Sequence, residues 1–240
     1  MFINEKETSR VDQIKRKLLI TGCGRSGTKY TSLVLRNLGL DIGHEQMGND
    51  GVASWYLAVS SNEVPFGDVA SNIAFEHVFH QIRHPLKVIS SATTFAAESW
   101  DFICQRTSID INEPLILRCA KYWLYWNLEA EKCAEWHYRI EDFQDVFHDF
   151  CARLNIPADE SVLKTLSPDT NTRKHGWYYH AYQEISHRIG LPTNRIYSKL
   201  IALAMIRKQQ TTINWNDLKL LDARLAKMIW DKSCLYGYTD

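Results

Sequence analysis

The sequence lacks an excess of charge of either sign, with 28 lysines and arginines against 28 aspartates and glutamates in 240 residues. A chain without net charge has no global field with which to hold a polyanion, which disfavours nucleic acid and anionic membranes as partners. Any anion site must then be a local cluster. The six cysteines, Cys23, Cys104, Cys119, Cys133, Cys151 and Cys234, contain no Cys-x-x-Cys pair. Their scatter argues against a zinc site and for buried or free thiols in a reducing compartment. Internal repeats, low-complexity tracts and heptad runs long enough for a coiled coil are also missing. The first residues, MFINEKETSRVDQIKRK, are charged and hold no apolar stretch. Neither a signal peptide nor a membrane span is therefore expected, and a cytoplasmic location is.

Glycine is scarce as well, at 11 residues, so its one concentration is informative. Gly22, Gly24 and Gly27 crowd into the stretch KLLITGCGRSGTKY at positions 17–30. Residues 18–21 are apolar and partly β-branched, which predicts a strand buried on both faces. From Thr28 the apolar positions Tyr30, Leu33, Val34 and Leu38 recur at helical spacing until Gly39 stops the pattern. Strand, glycine turn and helix N-terminus together form a phosphate cradle, because glycines let main-chain N–H groups approach an anion and the helix dipole favours negative charge. The spacing of Gly22 and Gly27 is that of a nucleotide-triphosphatase loop, yet Thr28 stands where such a loop has its lysine.

Further along, residues 40–45 read as a short second strand that delivers His44 and Glu45 to a loop, and 52–59 as a short helix carrying Trp55. Residues 74–82 read as a central strand ending at Arg83, after which Pro85 opens a helix with Val88, Ile89 and Ala92 on its apolar face. The segment 100–112 is polar and irregular. A long helix spans 113–133, with Trp123 and Trp126 as core residues. A strand at 136–140 leads to Glu141 and Asp142, which are expected to cap the following helix. Two more helices are expected at 194–208 and 215–231. The pattern predicts an α/β protein: one three-layer αβα domain with a central, mostly parallel sheet and a P-loop. Its core, expected to bind a nucleotide at the glycine loop, would span 17–155 and a helical C-terminal portion 156–240.

The segment Arg25-Ser26-Gly27-Thr28-Lys29-Tyr30 resembles the 5′-phosphosulfate loop of the sulfotransferase family, which runs basic-Ser-Gly-Thr-Thr-aromatic. Lys29 replaces the second threonine. A second resemblance follows: Arg83 ends a strand and Ser91 lies eight residues on, like the family's element that grips the 3′-phosphate of the donor. Arg139-Ile140-Glu141-Asp142 is similar to the family's Arg-Tyr-Glu-Asp-Leu segment, with Ile140 in place of the tyrosine that contacts adenine in some members. Arg173-Lys174-His175-Gly176 stands where cytosolic members carry an Arg-Lys-Gly segment that closes over the 3′-phosphate.

The resemblance implies 3′-phosphoadenosine 5′-phosphosulfate (PAPS) as co-substrate, without a metal, and a hydroxyl-bearing acceptor, a carbohydrate or small molecule. It assigns donor binding to Gly24, Arg25, Ser26, Gly27, Thr28, Lys29, Arg83, Ser91, Arg173 and Lys174. Arg25 would stabilise charge on the leaving phosphate. The general base is expected at Glu45, with His44 as the alternative, because protein-tyrosine and heparan sulfotransferases use a glutamate downstream of the first loop. Cytosolic members use a histidine instead, but His77 and His80 lie within a strand, where packing roles are expected. Two other functions fit the same residues: an atypical P-loop kinase using ATP and magnesium, and a non-catalytic nucleotide-binding module.

Overall fold

A computed structural model of the chain describes residues 13–59, 73–166 and 211–240. Among them, β1 (Ile14–Thr21), β2 (Ile42–His44), β3 (Gly51–Ala53), β4 (Ile73–Ile82) and β5 (Trp136–Arg139) form one sheet in the order β2-β3-β1-β4-β5. Every neighbouring pair is parallel. Parallel strands need crossovers, and these supply α1 (Thr28–Asn37), α2 (Pro85–Ala92), α3 (Ala97–Cys104) and α4 (Leu115–Cys133). After β5 come α5 (Phe147–Arg153) and α6 (Ser161–Thr165), and later α7 (Trp215–Leu221) and α8 (Ala223–Leu235).

The helices form layers on both faces of the sheet. On one face Leu18, Ile20 and Phe79 pack with Val34 and Leu35 of α1, Phe147 and Phe150 of α5, and Val162 of α6. On the other, Ile82 packs with Val88 and Ile89 of α2, Trp123 and Trp126 of α4, and Leu225 and Ile229 of α8. Burial on both faces is why β1 reads as a continuous apolar run rather than an alternating one. Both tryptophans of α4 are fully buried, as expected. The architecture is the three-layer α/β fold with a parallel sheet, and α7 and α8 join the same core as α2 and α4.

Several elements differ from the sequence reading. Residues 52–59 are not a helix: β3 occupies Gly51–Ala53, and a single 3₁₀ turn, Tyr56–Ala58, follows. A Cβ on Gly51 would lie 1.9 Å from the main-chain oxygen of Leu18, so glycine is what lets this strand close against β1. Within 100–112, the segment is regular as far as Cys104, because α3 buries Trp100 and Ile103 on one face. The helix expected at 215–231 is two helices, interrupted at Asp222, which is extended (φ −157°) and accepts the Leu225 N–H to cap α8. Glu141 and Asp142 lie in a 3₁₀ turn rather than at the start of α5. Glu141 instead accepts the main-chain N–H of His84 at the head of α2, and Asp142 pairs with Arg139. The helix expected at 194–208 lies outside the described residues.

The strand order fixes where a ligand can sit. From β1 the chain crosses through α1 toward β2, on one side; from β4 it crosses through α2 to α4 toward β5, on the other. Neighbouring strands whose connections diverge leave a crevice outside their carboxyl ends. Here those ends carry the glycine loop after Thr21 and Arg83 after Ile82.

Candidate functional site

Between β1 and α1 the chain makes a turn in which two glycines take positive φ. Gly22 has φ +141°, and a Cβ there would meet the main-chain oxygen of Gln81 at 2.4 Å. Gly27 has φ +95° and is the N-cap of α1. Among the described residues no side chain caps this helix, and its first turn holds no acidic residue. The first-turn N–H groups of Thr28 and Lys29 have no intrahelical acceptor, and the positive end of the helix is open to an anion. Ser26 is fully buried and its Oγ has no hydrogen-bond partner among the described residues. Thr28 is buried and Lys29 exposed. Gly24 N–H is not open to a ligand: it donates to Tyr122 Oη at 2.7 Å.

Arg25 sits in the left-handed region at φ +75°, a conformation that costs a non-glycine residue about 1–3 kcal/mol and that occurs where surrounding structure enforces it. Its Nη2 donates to Thr94 Oγ1 at 3.0 Å and its guanidinium lies 5.0 Å from the centre of the Phe95 ring. Its main-chain oxygen accepts from Arg83 Nη1 at 2.9 Å. Arg83 and Ser91 line one cavity of about 340 Å³, together with His84, Lys87, Ser90 and Asp240. The spacing along the strand end and α2 thus does bring the two residues to one place. Lys87, in the first turn of α2, adds a second cation there, 3.6 Å from Glu141 Oε1.

His44 and Glu45 reach the same loop from the end of β2. Thr28 Oγ1 lies 3.3 Å from His44 Nε2, which is 3.9 Å from Glu45 Oε1. Ser54, just after β3, donates from its hydroxyl to Glu45 Oε2 at 2.8 Å. The His44 and Glu45 side chains are 24% and 26% exposed, enough for a ligand to reach them. Glu45 is the second site residue at positive φ, +54°. Among the described non-glycine residues only Asn155 shares that feature.

The strand histidines stay apart from this chain of contacts. His77 pairs with Glu135 at 2.8 Å. His80 is buried and its Nε2–H donates to Asn127 Oδ1 at 2.9 Å; burial pulls its pKa down to about 4. Burial also pushes the Cys23 thiol, inside the glycine loop, well above its usual range, so it is no nucleophile.

Arg173 and Lys174 lie outside the described residues. Four contributors went unread in the sequence: Ser54, Gln81, Lys87 and Tyr122. Lys87 had a signal, a cation in the first turn of the helix that Pro85 opens just after Arg83. The others reach the site through strand pairing and helix packing and had none. No family model, curated protein or solved structure matches the chain.

Proposed function

We propose that the protein is a sulfotransferase that moves a sulfuryl group from PAPS to a hydroxyl of a carbohydrate or small-molecule acceptor. The observation that carries this reading is the meeting of two anion-ready elements at the diverging strands: the uncapped loop before α1 and the cavity of Arg83, Ser91 and Lys87. Two phosphate-bearing ends of one nucleotide would engage them. Main-chain N–H groups at Gly27 to Lys29 and the Thr28 hydroxyl would take the 5′-phosphosulfate; Arg83, Ser91 and Lys87 would take the 3′-phosphate, a planar guanidinium suiting it by paired hydrogen bonds.

In the transfer, the acceptor oxygen bonds to sulfur as the bond from sulfur to the 5′-phosphate oxygen breaks. Negative charge then grows on that leaving oxygen, which Arg25 is suited to stabilise. The acceptor proton goes to Glu45, whose other carboxylate oxygen is held by Ser54. His44, between Thr28 and Glu45, is the alternative base.

Thermal unfolding with adenosine 3′,5′-bisphosphate, and separately with ATP and magnesium, tests the reading on wild type and Arg83→Ala. A ligand at ~100 times its Kd adds about 2.7 kcal/mol of stability, which a melting scan resolves. Stabilisation by the bisphosphate without metal, lost in Arg83→Ala, is the expected result. Stabilisation by ATP with magnesium alone would replace this reading with a kinase. Bisphosphate binding without sulfuryl transfer to any hydroxyl acceptor would leave a nucleotide-binding module.

A further inference from the structure

Three consecutive residues of the glycine loop have a main-chain group held by a side chain from another element. Tyr122 of α4 takes the Gly24 N–H, Arg83 takes the Arg25 oxygen, and Gln81 of β4 donates from Nε2 to the Ser26 oxygen at 2.7 Å. Gln81 is the least expected of the three. It is fully buried near the end of a central strand, between Phe79 and Ile82 in the alternation where an apolar residue would normally stand.

The amide of Gln81 has only one possible orientation. The Ser26 oxygen can only accept, so Nε2 must face the loop, and Oε1 then accepts from the hydroxyls of Thr31 Oγ1 and Tyr138 Oη, each at 2.7 Å. Fixing Nε2 fixes the Ser26 carbonyl. In a planar trans peptide the next N–H points the opposite way, so the Gly27 N–H is turned away from β4. A free carbonyl in this loop would repel an anion; a carbonyl tied back to Gln81 presents N–H instead.

We propose that Gln81 is a positioning residue that aims the Gly27 N–H at the ligand's 5′-phosphate; this rests on reading the loop as an anion site. Thr31 and Tyr138 hold Gln81, and Gln81 holds the loop. The buried Ser26 Oγ, which has no partner among the described residues, lies in the same residue whose carbonyl Gln81 captures, which supports a loop shaped for a ligand rather than for packing alone.

Titration calorimetry with adenosine 3′,5′-bisphosphate on wild type, Gln81→Met and Tyr138→Phe tests this, with the Gly27 amide followed by NMR in glycine-labelled wild type. Gln81→Met should bind about tenfold more weakly, the effect of losing one hydrogen bond that orients a charge-binding loop. Tyr138→Phe removes a bond to the same amide but spares the Ser26 contact, and should stay within about twofold of wild type while losing stability. The Gly27 amide proton should move on titration. Equal affinity of Gln81→Met and wild type, or equal loss in both variants, overturns the inference and leaves the sulfotransferase reading standing. A wild type that binds with an unmoved Gly27 amide overturns it too, and this holds even if Gln81→Met does not fold. A wild type that does not bind the bisphosphate overturns the sulfotransferase reading and this inference together.

Discussion

Arg83 donates from Nη1 to the main-chain oxygen of Arg25 at 2.9 Å, joining the end of β4 to the loop that follows β1. The guanidinium that lines the α2 cavity therefore also braces the glycine loop. A guanidinium has five N–H donors in a planar fork, so holding Arg25 leaves others directed elsewhere. The two strand–turn–helix units are thus mechanically linked before any ligand arrives, and a ligand bound in the cavity would act on a group already touching the loop.

Glu45→Gln separates binding from chemistry. The amide keeps an oxygen that can accept from Ser54 but cannot take a proton from a hydroxyl. Bisphosphate-induced stabilisation should be unchanged, while kcat for the proposed sulfuryl transfer falls about 10²- to 10⁴-fold, the range for losing a general base. Steady-state kinetics decide it; wild-type kcat in this variant would move the base to His44.

His80 makes stability depend on pH in mildly acid solution. Its ring is buried, with no partner for Nδ1 among the described residues, and burial lowers its pKa from 6.5 to about 4 on folding. Between those values the unfolded chain binds the proton and the folded chain does not. The contribution is therefore fully present above pH 6.5 and is lost as the pH falls toward 4, up to about 3 kcal/mol for this site. Urea unfolding at a series of pH values should show this slope, and His80→Gln, which keeps a donor for Asn127, should flatten it. An unchanged slope in the variant would assign the effect to other groups.

Gly22→Ala and Gly39→Ala both place alanine at positive φ, yet they should differ widely. At Gly22 the new Cβ meets the Gln81 carbonyl in the middle of the sheet at 2.4 Å; at Gly39 (φ +91°) it meets nothing within 4 Å. Gly39→Ala should cost about 1 kcal/mol, the strain of left-handed backbone alone. Gly22→Ala adds a backbone clash that neither partner can relieve, and should cost upwards of about 4 kcal/mol or prevent folding. Chemical denaturation compares the two; equal losses would mean that the loop after β1 can shift away from β4.

Much of the fold was legible because it is written locally. The apolar run ending at Thr21, the crowding of Gly22, Gly24 and Gly27, and Pro85 placed just after Arg83 each report a strand end or a helix start within a few residues. The periodicity of α4 was enough to bury Trp123 and Trp126. Three-residue strands are different: β3 is held by Gly51 against Leu18 and by the register Leu18 to Gly51, which no propensity near Trp55 reveals. The split at Asp222 was hidden because the apolar spacing of 215–231 continues through a residue that caps.

The candidate site divides along the same line. From sequence alone come the residues whose chemistry and local setting point to an anion: the 25–28 loop, Arg83 with Ser91, and His44 with Glu45 at a strand end. Only the tertiary structure decided that Ser54 would hold Glu45, that Tyr122 would occupy the Gly24 N–H, and that Gln81 would bind the Ser26 carbonyl. These contacts join residues far apart in the chain, through strand register and helix packing. A one-residue slip of β4 would turn Gln81 to the opposite face, so its role exists only once β1, β4 and β5 have paired in this register.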